Sequence, residues 1–152
     1  VSIESVKRQF KEQNLDLVIT ELDESSATVA LAANAIGVEP DRIAKTMAFR
    51  LADKDILVIS KGTARIDNRK YKDYFKTKVK MLKAHEVLEI TGHPVGGVCP
   101  FGLKNKLEIY LDKTLDSFDH VYPAGGSPNS AVKITVEKLE EVTNGTWIDV
   151  CK

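Results

Sequence analysis

"AKTMAFRLADKDILVISKG", residues 44–62, is the stretch whose reading decides the fold. Two runs, "AKTMAFRL" and "DILVISKG", are rich in apolar and β-branched residues, and the polar "ADKD" between them suits a hairpin turn. Side chains alternate along a strand, so Ala44, Thr46 and Ala48 share one face and Lys45, Met47 and Phe49 the other. A lysine on a face with Met and Phe has two readings. It snorkels to solvent from a strand end, or it points into a pocket.

Working outward, residues 2–13 carry Ile3, Val6 and Phe10 at helical spacing with Ser2 as cap, and "LDLVITEL" (15–22) reads as a short strand. "DESSATVALAANAIG" (23–37) reads as a helix with Asp23, Ser25 or Ser26 as N-cap and Gly37 as its stop. Its nearly unbroken Ala, Val, Leu and Ile interior predicts packing on more than one side. Pro40 suits a short helical turn before the hairpin. Beyond the hairpin, "DNRKYKDYF" and "KAHEVLEIT" read as helices, "KLEIYLD" as a strand, "KTLDSF" as a helical turn and "HVYPAGG" as a strand ending in a turn. "AVKITV" reads as one strand, "VEKLEEVTN" as a helix closed by Gly145, and "TWIDV" as a last strand. About seven short strands mixed irregularly with helices predict an α+β fold with a mixed, curled sheet rather than a doubly wound one.

The 152 residues suit one domain spanning 1–152. Lys+Arg and Asp+Glu are both 22, so no net field steers the molecule toward a polyanion, and any such partner needs a local patch. The N-terminal residues carry charges throughout with no apolar signal core, and the longest weakly polar stretch, residues 27–38, is too short to cross a bilayer. Two cysteines cannot build a disulfide framework, and a cytoplasmic setting with no membrane partner is expected. Three histidines and two cysteines are scattered singly, so neither a metal nor another cofactor is expected.

Three stretches carry candidate chemistry. In "GHPVGGVCPFGLKNKLEIYLD" (92–112), Gly96 and Gly97 either make a turn or bring bare amides close to a ligand, where they could stabilise an oxyanion or phosphate. Cys99 is either a buried small hydrophobe or a nucleophile that needs His85, His93 or His120 as its base. His93 reads as a loop residue and His85 as surface. A second glycine turn, "YPAGGSPNSAVKI", is a hairpin turn by itself; two such turns at strand ends also suit a shared pocket. Residues 65–83 hold eight basic side chains, among them Arg69, Lys70, Lys72 and Lys76, against Asp67 and Asp73, with Tyr71, Tyr74 and Phe75 interleaved. That stretch is either a solvated surface or a phosphate-tracking patch.

In combination, "ATVALAANAIGVEPDRIAKTMAFR", "ILVISKGTARID", "VGGVCPFGLKNKLEIYLD" and "FDHVYPAGGSPNSAVKI" resemble the YbaK / prolyl-tRNA synthetase editing-domain family of aminoacyl-tRNA deacylases. The resemblance covers about residues 25–136, and its specific part is the IAKT-type lysine followed by a GGVxPFGL loop. It implies a curled mixed sheet or partly open barrel flanked by helices. It also implies a free-standing trans-editing hydrolase of the ester between a mischarged amino acid and tRNA, with a non-catalytic aminoacyl- or nucleotide-binding module as the alternative. On that carry-over Lys45 is the key lysine, holding the glycine loop and the end of the substrate. Gly96, Gly97, Val98, Cys99 and Pro100 meet the aminoacyl ester, and Gly125, Gly126 and Ser127 line the opposite wall. The implied partners are tRNA, through its aminoacylated 3′ end, and in passing an aminoacyl-tRNA synthetase. Members that use a histidine near the second glycine turn are not matched by Gly126-Ser127-Pro128-Asn129, so an amino-acid preference does not carry over.

Overall fold

The computed structural model describes residues 2–152. Helix α1 (Ser2–Glu12) buries Val6 and Phe10, and Ser2 is not its cap: the hydroxyl donates instead to the carbonyl of Gly126. After β1 (Ile19–Glu21), helix α2 (Val29–Ile36) is capped by Thr28, whose hydroxyl accepts the Leu31 N–H at 3.1 Å, rather than by Asp23, Ser25 or Ser26. Gly37 closes α2 in the left-handed region, as expected. The helix is not packed all round, since only Ala32 and Ala33 are buried and Leu31 is 45% exposed.

A 3₁₀ turn (Pro40–Arg42) leads into β2 (Ile43–Arg50) and β3 (Asp55–Lys61), the expected hairpin. Helix α3 (Asn68–Phe75) starts at Asp67, whose carboxylate accepts the Arg69 and Lys70 N–H groups. Helix α4 (Ala84–Thr91), β4 (Glu108–Asp112), a 3₁₀ turn (Lys113–Ser117) and β5 (His120–Pro123) follow. The expected single strand at 131–136 is broken into β6 (Ser130–Val132) and β7 (Ile134–Thr135), because β6 pairs with β1 and β7 with β5. Helix α5 (Val136–Thr143) ends at Asn144, which takes the left-handed conformation in place of the expected Gly145, and β8 (Thr146–Ile148) completes the order.

The strands form a mixed six-stranded sheet in the order β7-β5-β2-β3-β4-β8, curled into a half-barrel, and a two-stranded β1-β6 sheet. The β2–β3 register fixes which core each side chain enters. Ala44 and Ala48 share a face with Leu57 and Ile59 in the larger core, which also holds Cys99, Phe101 and Phe10. Met47 and Phe49 share the opposite face with Ile56 and Val58 in a second core with Ala64, Tyr71 and Cys151. A one-residue slip would exchange both sets, so the apolar pattern pins the register.

Asp112 ties the two ends of this arrangement. It is 0% exposed, and its carboxylate accepts the Thr114 N–H at 3.0 Å and the Val150 N–H at 2.8 Å. Just beyond, Lys152 N–H donates to Arg65 O at 2.9 Å and Asp67 N–H to Val150 O at 2.8 Å, so residues 150–152 are stitched to residues 65–67. Asp112→Ala strands the buried Val150 amide and the half-buried Thr114 amide and is expected to cost about 2–4 kcal/mol. Urea unfolding measures the loss, and amide exchange at Val150 should rise more than at Val58.

Candidate functional site

Alternation along β2 sends the main-chain groups of its even-numbered residues away from β3. Ala44 meets β5 through the short parallel ladder Ile43↔Tyr122 and Ala44↔Pro123, and there the ladder stops, because Ala124 turns aside to bridge Ala131. Further along the same edge, Leu82 N–H donates to Ala48 O at 3.1 Å and Arg50 N–H to Lys80 O at 2.9 Å. Between these two attachments the edge of β2 is open at Thr46. The Thr46 hydroxyl is buried and has no partner among the described residues.

A cavity of about 430 Å³ occupies that gap. It is bounded by β2 from Ile43 to Ala48, the start of α2 from Ser26 to Val29, Met81 and Leu82, the first turns of α4 at Ala84 and Val87, and Tyr122 to Ala124. Val95, Gly96 and Val98 bring in the first glycine loop. The lining is mostly apolar. It contains no carboxylate and no imidazole, and Lys45 is its one charged residue. The hydroxyl of Ser26 donates to Ser130 O at 3.3 Å and that of Ser130 is engaged with Ser127, whereas the Thr46 hydroxyl is a buried polar group of the wall without a partner among the described residues.

Lys45 sits opposite Ser60 in the register, on the face of the second core. Its ammonium donates to Ala64 O at 2.5 Å, and half-burial holds its pKa below the usual lysine value. The expected hydrogen bond to the glycine loop is not formed. An odd-numbered residue of β2 faces away from the core in which Cys99 and Phe101 lie, so the side chain reaches the residue 64–67 segment instead. Of its three donors, one is committed to Ala64.

The two glycine turns do meet. A Cβ on Gly97 would fall 2.7 Å from the Ser127 carbonyl carbon, so these backbones touch where only a glycine fits. Gly96, at φ +94°, lies against Ala27 just before α2. Of the residues singled out from sequence, Lys45, Gly96 and Val98 line the cavity. Gly97, Cys99, Pro100, Gly125, Gly126 and Ser127 do not line it, although Ala124, Ser130 and Ala131 do, and Pro100 borders a separate cavity with Gln9 and Leu103. Thr46 and the first turn of α2 went unnoticed in sequence; the strand parity that aims Thr46 outward is legible there, but the gap in the edge is not.

Cys99 has a histidine beside it: His93 Nε2 lies 3.7 Å from its sulfur. Both are fully buried, and burial pushes the Cys99 thiol up to about 12 while lowering the His93 pKa. His93 Nε2 is 2.6 Å from Phe101 O, which can only accept, so Nε2 carries a proton and is not a base for the thiol. The pair is neutral and bonded inward to the Phe101 carbonyl, a packing unit rather than an activated nucleophile. His93 is thus a loop residue, as expected, but a core one.

In the basic stretch, Lys70 bonds Asp149 at 3.0 Å and Cys151 O at 2.9 Å, anchoring the 150–152 segment. Arg69, Lys72 and Lys76 are exposed and make no side-chain ion pair among the described residues. No helix among the described residues is long and apolar enough to cross a membrane.

Comparison with known proteins places these features in company. Residues 23–142 match the family model of the aminoacyl-tRNA editing domain. YwhH of Bacillus subtilis, a protein without an assigned role, is 48% identical over 154 residues, covering 100% of this chain and 98% of that one. EbsC of Enterococcus faecalis, provisionally named a Cys-tRNA(Pro)/Cys-tRNA(Cys) deacylase, is 25% identical over 78% of this chain and 73% of its own. Among solved structures, one provisionally described as a trans-editing enzyme for prolyl tRNA synthetase superposes with a TM-score of 0.92 at 29% identity, over 99% of this chain and 97% of that one.

Gly97→Ala is expected to force the two turns apart and cost about 1–3 kcal/mol, read as a lowered urea midpoint. Cys99 should resist alkylation in the native protein and react only on unfolding; rapid native alkylation would restore it as a nucleophile candidate.

Proposed function

The chain belongs to the aminoacyl-tRNA editing domain family, and on that premise we propose that it acts in trans to hydrolyse the ester between a mischarged amino acid and the terminal adenosine of its tRNA. The observation that carries this reading is the cavity at the broken edge of β2, roomy enough for an aminoacyl end and walled by Lys45, Gly96 and the start of α2. An aminoacyl ester is already activated. Its hydrolysis needs a held substrate, a positioned water and donors near the developing oxyanion more than a strong protein nucleophile. The neighbouring ribose hydroxyl supplies a proton-transfer group of the substrate's own, which suits a wall with no carboxylate or imidazole.

Lys45 is the proposed catalytic residue. Its ammonium, steadied by Ala64 O, has two donors left for the ribose or phosphate end of the substrate. Arg69, Lys72 and Lys76, rather than the tethered Lys70, are the proposed contacts to the tRNA backbone. The absence of an acid or base from the lining also suits a non-catalytic aminoacyl-binding module, and turnover separates the two.

The test is a deacylation panel on tRNA(Pro) charged with small amino acids. Lys45→Ala should lower kcat/KM at least a hundredfold with the unfolding midpoint little changed. Full activity in that variant removes Lys45 from the mechanism, and binding without turnover on every member favours the module. Replacing Arg69, Lys72 and Lys76 together should weaken tRNA binding and flatten its salt dependence, with the slope of log K against log salt reduced by about 2–3.

A further inference from the structure

We infer that the open edge of β2 at Thr46 docks the amino acid's own main-chain atoms, so that the aminoacyl group is bound as if it were one residue of an added antiparallel strand. This rests on the deacylase reading above. Three observations meet at Thr46. Its main-chain N–H and C=O point away from β3, as those of Ala44 and Ala48 do. The ladder on that side is interrupted, with β5 attached only up to Ala44 and the residue 80–82 segment only from Ala48. The cavity lies in the interruption, and Thr46 lines it.

In a hydrogen-bonded antiparallel pair, one residue gives its N–H to the opposing carbonyl and accepts the opposing N–H on its own carbonyl. An aminoacyl ester has the same two groups flanking its Cα. Its α-ammonium donates to Thr46 O, and its ester carbonyl accepts the Thr46 N–H, which draws density from the carbon that water attacks. The side chains of such a pair lie on one face of the sheet. The acyl side chain therefore falls on the face of Thr46, between Ala44 and Ala48, whose short side chains leave room and whose surroundings (Leu82, Val87, Val98) are apolar. Main-chain bonds at a strand edge give affinity and the flanking walls give selectivity. The acyl group this arrangement takes is an α-amino acid with a small, uncharged side chain, set between the two alanines and beside the unpartnered Thr46 hydroxyl.

The probe is adenosine carrying L-alanine through a non-hydrolysable 3′-amide, compared with the same compound bearing L-lactate or N-acetyl-L-alanine. The alanyl compound should slow hydrogen exchange of the Thr46 amide at least tenfold and shift its resonance, with Ala44 and Ala48 amides little affected. Replacing the α-amine by hydroxyl, or acetylating it, should weaken binding at least tenfold. Equal affinity for all three compounds, binding without protection at Thr46, or no saturable binding overturns the inference. Turnover in the deacylation panel despite any of those results leaves the deacylase reading standing and moves the docking point elsewhere. Loss of turnover with Thr46 protected leaves the docking point standing and removes the enzyme.

Discussion

Everything in this molecule hangs on the seven paired positions between β2 and β3. That ladder does three things at once. It divides the apolar side chains between two cores, it sets Lys45 on one side and the glycine loop on the other, and it fixes which main-chain groups of β2 look outward. None of these can be altered alone, because the two-residue period couples them all. The strand is central, yet its outer edge is covered in two pieces by segments from distant parts of the chain. The cavity is what the two pieces leave between them.

The hairpin was legible because its alternation is strong and its turn polar, and helices α1 and α2 because of the apolar spacing of Val6 and Phe10 and the stop at Gly37. The α+β class and the mixed, curled sheet followed from those elements. What stayed hidden depended on partners. "AVKITV" reads as one strand until two different neighbours, β1 and β5, claim its halves. Asp23, Ser25 and Ser26 are all sound caps by type, but Ser25 and Ser26 bond toward Pro128 and Ser130, leaving Thr28 to begin α2.

The candidate site was legible to a similar depth. Lys45 and Gly96 were singled out from their own sequence surroundings with two readings open, and only the family resemblance gave them a role; both line the cavity. The contact between the glycine turns could be anticipated only as a shared location, since nothing in "GGVCP" says that Gly97 must lie flat against Ser127. Lys45 shows the limit of reading motifs without faces. Its partner, Ala64, is a carbonyl and carries no side-chain signal, so the direction of the ammonium became visible only once the second core was assembled. His93 shows the same limit from the other side. A histidine beside a proline in a glycine-rich loop gives no hint that its ring is buried against a cysteine.

The interrupted edge at Thr46 has a consequence for how such a protein can diverge. A recognition element made of peptide groups is encoded by no particular codon, because any residue other than proline presents the same N–H and C=O. Drift at this position would leave the element in place, while drift at Ala44 or Ala48 would reshape the space beside it. Two paralogues could then part company in what they accept while sharing an anchor that comparing their sequences would not reveal.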